Sequence, residues 1–72
     1  MFSKLSKKEL HEIYLDYCHS KEKGQRCESL VPFAKEYKEQ IKIENLMSLR
    51  EAIDIVTKMF FEEVANRYLI IP

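Results

Sequence analysis

The last third of the chain, Ser48 to Leu69, constrains the fold more than any other stretch. Its apolar side chains recur every three or four positions, which is the spacing of one face of an α-helix. The segment opens with Ser48, followed three residues later by Glu51, a capping-box pattern. We therefore predict one long amphipathic helix over residues 48–69. Its apolar stripe is formed by Leu49, Ile53, Val56, Phe60, Val64 and Tyr68.

Two more helices are predicted before it, after a short lead-in of residues 1–5. The first spans residues 6–23, because Ser6 and Glu9 repeat the capping pattern and Gly24 is typical of the position after a helix end. The next connection, residues 24–26, is predicted to be tight. The second helix spans residues 29–43, with residues 27–29 open as its start or as a separate turn. Their apolar faces are predicted to be Leu10, Ile13, Tyr14, Tyr17 and Cys18, and then Leu30, Phe33, Ala34, Tyr37 and Ile41.

The expected fold class is all-α. One glycine and two prolines in 72 residues are too few for the regularly spaced turns of a β-domain. Short connections make consecutive helices antiparallel neighbours, so the chain is predicted to be a single domain, a small up-down-up three-helix bundle with a long C-terminal helix. A chain of this size buries only about 60% of its unfolded surface, so a partner subunit is a plausible source of stability.

The apolar residues of the third helix extend around more of its surface than two neighbouring helices can cover. Ile55 lies off the main stripe, and in the second half the stripe shifts towards Phe61. This apolar surplus could be ordinary exposed surface, or the tail could fold back over the bundle. The alternative, which we expect, is a self-complementary patch that closes a homodimer or docks on a protein partner. The predicted interface residues are Ile55, Phe61, Tyr68, Leu69, Ile70 and Ile71.

Charge and hydropathy exclude several classes of function. The formal net charge is +0, which argues against a general nucleic-acid binder and gives no reason to expect an anionic membrane surface as partner. No apolar run approaches the ~20 residues that span a bilayer, and the N-terminus lacks the apolar segment of a secretory leader. We expect a cytoplasmic protein, and the excess of lysine over arginine suggests a bacterial or phage gene.

The candidate metal ligands are Cys18, His19 and Cys27, with His11 two turns away. Zinc prefers four ligands in paired modules, so no metal site is expected. A disulfide between Cys18 and Cys27 is geometrically conceivable, but thiols stay reduced in the cytosol. We expect Cys18 to be a small buried side chain and Cys27 to be a surface or half-buried thiol.

Enzymatic chemistry is not expected. The adjacent Glu62 and Glu63 resemble an acid pair, but Glu63 lies near the apolar stripe and is predicted to form a salt bridge with Arg67 at the rim. Asp54 and Lys58 are predicted to pair at the same i,i+4 spacing. The chain has no glycine-rich phosphate loop and no H-E-x-x-H motif. We therefore predict no catalytic residues and no cofactor.

DNA binding remains the alternative from another class. The basic side chains of the N-terminal half are Lys4, Lys7, Lys8, Lys21, Lys23 and Arg26. Residues 1–26 contain these six against four acidic side chains, Glu9, Glu12, Asp16 and Glu22, a local excess of two. The second helix alternates lysine and glutamate like a solvated face rather than a basic recognition helix.

The opening of the chain resembles that of the small Gram-positive sporulation checkpoint inhibitors of sensor kinases, which are helical hairpins. The matching residues are Lys4, Leu5, Ser6, Leu10, Glu12 and Tyr14. The resemblance covers barely a dozen residues, and the chain departs from that family in its length and its long third helix. The sequence alone therefore assigns no family. It predicts a non-enzymatic protein–protein interaction module or small regulator, acting as a homodimer or on a larger partner, with a small DNA-binding regulator as the alternative.

Overall fold

The structure, a computed structural model, describes residues 1–41 and 47–69. Over these residues the chain forms three α-helices that pack against one another, and no β-strand. The predicted all-α three-helix class is confirmed. The helices are α1, Lys7–Glu22; α2, Val31–Ile41, preceded by a 3₁₀ turn, Glu28–Leu30; and α3, Leu49–Val64, which continues as a π-helical turn, Ala65–Leu69. The last two residues of the predicted second helix lie outside the described residues.

Local capping fixes both ends of α1 as predicted. The Ser6 hydroxyl accepts from the Glu9 amide at 3.1 Å, and the Glu9 carboxylate accepts from the Ser6 amide at 2.9 Å, a complete capping box. At the other end Gly24 has a φ of 67°, which only glycine adopts without strain. The Gln25 amide donates to the Ser20 carbonyl at 2.8 Å, as in a Schellman ending.

At the start of α3, one of the two hydrogen bonds of the predicted capping box forms. The Ser48 hydroxyl accepts from the Glu51 amide at 3.1 Å, but the Glu51 carboxylate accepts from the Ser48 hydroxyl instead of its amide. The predicted helix is also not uniform, because α-helical winding ends at Val64 and the last described residues wind as a π-turn. A π-turn makes i to i+5 bonds, so side chains beyond Val64 lie off the faces that α-helical periodicity assigns.

The first residues of the chain complete the core. Phe2 is 3% exposed, and its ring centroid lies 4.7 Å from that of Phe33 and 5.5 Å from that of Phe60. Residues 1–5 precede α1 as the predicted short lead-in, but the burial of Phe2 was not predicted, because Phe2 lies before the helix cap and belongs to no periodic stripe. The side chains with almost no exposure elsewhere in the core are Leu10, Leu30, Ala34, Ala52, Val56 and Phe60.

Arg67 ties the two ends of the described chain together. Its guanidinium bonds the Glu63 carboxylate at 2.7 Å, so the predicted pair forms. It also donates to the backbone carbonyls of Ser3 at 2.8 Å, Phe2 at 3.1 Å and Leu5. A guanidinium supplies five donors in a rigid fork, which suits several acceptors at once. Arg67 therefore holds the segment that places Phe2 in the core.

The connection between α1 and α2 folds back along α1 instead of turning tightly. The Asp16 carboxylate, in the third turn of α1, accepts from the Ser29 amide at 3.2 Å and from the Cys27 thiol at 3.3 Å. The chain therefore returns towards the middle of α1 before α2 begins. Pro32 is the second residue of α2, in the first turn where its missing amide proton is tolerated.

The fold-back refines the predicted topology. Leu5, just before α1, is held by Arg67 beyond the end of α3, whereas Tyr17 in the third turn of α1 shares a groove with Ile53 in the first half of α3. The two helices therefore run in opposite directions, whereas an up-down-up order makes them parallel.

We predict that Arg67→Gln lowers the free energy of unfolding by about 1–3 kcal/mol, since it removes charged hydrogen bonds to three carbonyls and Glu63. Urea unfolding followed by circular dichroism measures the change. Arg26→Gln is the matched control, because Arg26 pairs with Glu28 at 3.1 Å on the exposed surface, and such pairs contribute about 0–1 kcal/mol. Equal losses in the two variants would show that Arg67 has no special role.

Candidate functional site

Three aromatic side chains form a seam where α1 meets α3. The ring centroid of Phe61 lies 4.9 Å from that of Tyr17 and 6.2 Å from that of Tyr14, with interplanar angles of 78° and 82°. Edge-to-face contacts of this kind contribute about 0.5–1.5 kcal/mol beyond the area they bury. Phe61 is half-buried and Tyr14 is 40% exposed. This aromatic seam, Tyr14, Tyr17 and Phe61, is thus partly packed and partly open to solvent.

The predicted interface residues do not form one patch. Ile55 and Phe61 are both half-buried, but six positions of helix place them about 120° apart around α3. Tyr68 is 49% exposed and lies in the π-turn. Leu69 is the last residue of that turn, while Ile70 and Ile71 lie outside the described residues. Of the predicted set, Phe61 is the residue placed in the aromatic seam.

A groove of about 680 Å³ continues from the seam between the end of α1 and the first half of α3. Four of its lining side chains are basic and one is acidic. We refer to it as the basic groove; its lining residues are Tyr17, Ser20, Lys21, Gln25, Arg26, Cys27, Arg50, Ile53, Asp54, Thr57 and Lys58.

The basic side chains of the groove are largely unpaired within the described chain. Arg26 bonds Glu28, but the predicted Asp54–Lys58 pair is not among the ion pairs within 4 Å there. The ammonium of Lys21 lies 5.5 Å from the centroid of the Tyr17 ring, a cation–π distance. Lys21 therefore links the basic groove to the aromatic seam.

Counting charges by chain segment missed this groove. Lys21 and Arg26 belong to the modest basic excess of residues 1–26, but the other two cations, Arg50 and Lys58, come from α3. A helical wheel contained the missing signal, because Arg50, Lys58 and Phe61 follow one another at offsets of eight and three on one face of α3. The wheel could not show which neighbour that face meets.

Asp16 supports the wall of the groove formed by residues 25–27. Hydrogen bonds from Ser29 first, and then from Cys27, lower the pKa of the Asp16 carboxyl. Burial, and then the nearby Asp16 carboxylate, raise the pKa of the Cys27 thiol. A raised pKa keeps the thiol protonated and disfavours nucleophilic chemistry there.

The burial of both cysteines differs from the prediction. Cys27 is buried and Cys18 is only half-buried, and both are free thiols in the structure. The prediction of Cys27 as a surface or half-buried thiol is wrong because the fold-back inserts it beneath Asp16. Across the described part of the chain, histidine, cysteine and acidic side chains nowhere gather in a group of three that could hold a metal ion. Nor does any helix within residues 1–41 and 47–69 have the length and apolarity needed to cross a bilayer.

Comparison with known proteins adds no relative: a scan of protein-family models, a search of curated proteins and a search of solved structures each found no match for this chain. The geometry of the seam and of the groove is therefore the basis for any functional proposal.

We predict that Asp16→Asn weakens the protein at neutral pH by about 1 kcal/mol, because a neutral amide is a poorer acceptor than a carboxylate. The lowered pKa of Asp16 means that its contribution is present above the ordinary value of about 3.9 and is lost as pH falls through the folded-state pKa. The difference between wild type and variant should therefore shrink below about pH 4.

Urea unfolding at a series of pH values checks this prediction. Glu39→Gln is the control, since Glu39 is exposed on α2. A difference between wild type and Asp16→Asn that stays constant down to the lowest pH would contradict the proposed role of the carboxylate.

Proposed function

We propose that this protein is a non-enzymatic protein–protein interaction module that binds its partner through the aromatic seam, either as a homodimer or on a larger protein. The observation that carries the proposal is the solvent exposure of Tyr14 beside the half-buried Phe61. Tyrosine is enriched in binding hot spots, where its ring is buried and its hydroxyl reaches the rim. Tyr68 offers a further exposed aromatic ring in the π-helical turn after α3.

The size of the domain supports the same proposal. Among the residues that the structure describes, nine buried side chains form the clustered core, and a chain of this length is marginally stable by itself. Covering partly exposed aromatic rings with a partner adds apolar burial that the single chain lacks. The partner therefore contributes both a function and stability.

We predict that Phe61→Glu abolishes self-association while most helicity remains. Sedimentation velocity at tens of micromolar gives the association state, and circular dichroism gives the helicity. Tyr14→Glu is a second seam variant with less risk to folding, because Tyr14 is 40% exposed. Leu15→Glu is the matched control, since Leu15 is 53% exposed and lies about 100° away from Tyr14 around α1.

Each result decides a different point. A wild-type protein that is monomeric at these concentrations removes the homodimer and leaves docking on another protein. Loss of helicity in Phe61→Glu would make Phe61 a core residue, and Tyr14→Glu then carries the test of the seam. Equal effects of Leu15→Glu and Tyr14→Glu would contradict a specific seam interface.

The second candidate is a small DNA-binding regulator, and the basic groove is the observation that favours it. Duplex DNA is bound by neutralising several phosphates, which makes retention on DNA fall steeply with salt. The net charge of +0 and the acidic Asp54 inside the groove weigh against this function. We expect weak retention on a heparin column at physiological salt; strong retention with a steep salt slope would favour DNA binding instead.

A further inference from the structure

The basic groove is electrostatically unlike the chain as a whole. Positive and negative side chains cancel over the full sequence, yet four basic side chains and one acidic side chain line this groove. Lys21, Arg50 and Lys58 are exposed, so they keep their positive charge available to a ligand. Such a local field favours an anionic ligand and speeds its association.

The groove also has an apolar part, which limits what the anionic ligand can be. Its lining includes the buried Cys27 and the half-buried Ile53, and it ends at Tyr17 of the aromatic seam. A ligand that matches both parts needs carboxylates along one side and a large apolar side chain at the seam. An amphipathic helix of a protein presents this combination, with apolar residues at helical spacing and charges beside them.

We propose that the basic groove binds an acidic, amphipathic helical segment of a partner protein. Its carboxylates would pair with Lys21, Arg50 and Lys58, and its apolar side chains would cover Ile53 and the aromatic seam. This inference rests on the proposed function and adds the chemical character of the partner.

Single-stranded nucleic acid fits the same surface less well. Its binding relies on free aromatic faces for base stacking, but the ammonium of Lys21 lies over the Tyr17 ring and Phe61 meets both tyrosines edge to face. The carboxylate of Asp54 also lies within the groove, where it would repel a continuous phosphate backbone. Carboxylates spaced along a helix can pair with the cations on either side of Asp54.

The test uses the full chain and two synthetic helical peptides labelled with a fluorophore. One peptide, about four turns long, has a leucine stripe flanked by glutamates, and the other has glutamine in place of each glutamate. Fluorescence anisotropy gives both affinities, and backbone amide NMR shifts locate the binding site. We expect the acidic peptide to bind at least tenfold more tightly, with weaker binding at higher salt and with shifts at the groove and seam.

Groove variants and matched controls show whether the cations are responsible. Arg50→Gln with Lys58→Gln should weaken binding of the acidic peptide by roughly threefold to tenfold, because exposed ion pairs contribute modestly. Lys8→Gln with Lys35→Gln removes the same charge from exposed positions outside the groove and should leave the affinity unchanged. All four side chains are exposed, so both double variants should fold as wild type.

The outcomes separate this inference from the proposed function. Equal affinities for the two peptides, or equal effects of the two double variants, would overturn the inference that the partner is acidic. The proposed function would still stand in that case if Tyr14→Glu weakened the binding of the peptides. Binding that depends on the groove cations but not on Tyr14 would support the groove and contradict the seam. No binding of either peptide, or tighter binding of a labelled single-stranded DNA of equal charge, would also overturn the inference.

Discussion

The contact between the two ends of the described chain is the constraint on which the rest of this fold depends. The Arg67 guanidinium is bonded to Glu63 and to the carbonyls of Phe2, Ser3 and Leu5. Those carbonyls precede the first turn of α1, and only that of Phe2 also accepts from a backbone amide of the described residues, that of Leu5 at 3.2 Å. A cation with several donors therefore bonds a cluster of acceptors at once. Once this segment is fixed, the ring of Phe2 fills the space between α2 and α3.

The helices differ in the size of the side chains through which they pack. Ala34 on α2 and Ala52 on α3 are fully buried, and within the described residues these two helices pack against each other more extensively than either packs against α1. The contact between α1 and α3 is formed by the larger rings of Tyr14, Tyr17 and Phe61. The basic groove adjoins this seam at Tyr17. The same aromatic side chains are therefore partly packed and partly accessible from the groove.

Local signals in the sequence predicted the helices, but the contacts between distant residues could not be predicted in the same way. The Ser6 cap and the Gly24 ending act within a few residues, so their sequence pattern suffices to place α1. The Asp16 bonds span 11 and 13 positions and those of Arg67 to the N-terminal carbonyls span 62 to 65. Nothing in periodicity indicates which acidic or basic side chain will find a backbone partner so far away. The fold-back that buries Cys27 is held by such long-range bonds, those of Asp16.

The apolar surplus of α3 shows how this limit bears on function. The main apolar stripe of α3 has a further cover that was not predicted, the N-terminal segment that places Phe2 against Phe60. The surplus residues Ile55 and Phe61, which lie off that stripe, are half-buried. What stays partly open is Phe61 with the seam tyrosines on one face and Ile55 on another. The seam adjoins the basic groove, so this face has both the apolar and the electrostatic component that specific recognition uses. Ile55 lines neither of the described pockets, so its face lacks such a charged neighbour.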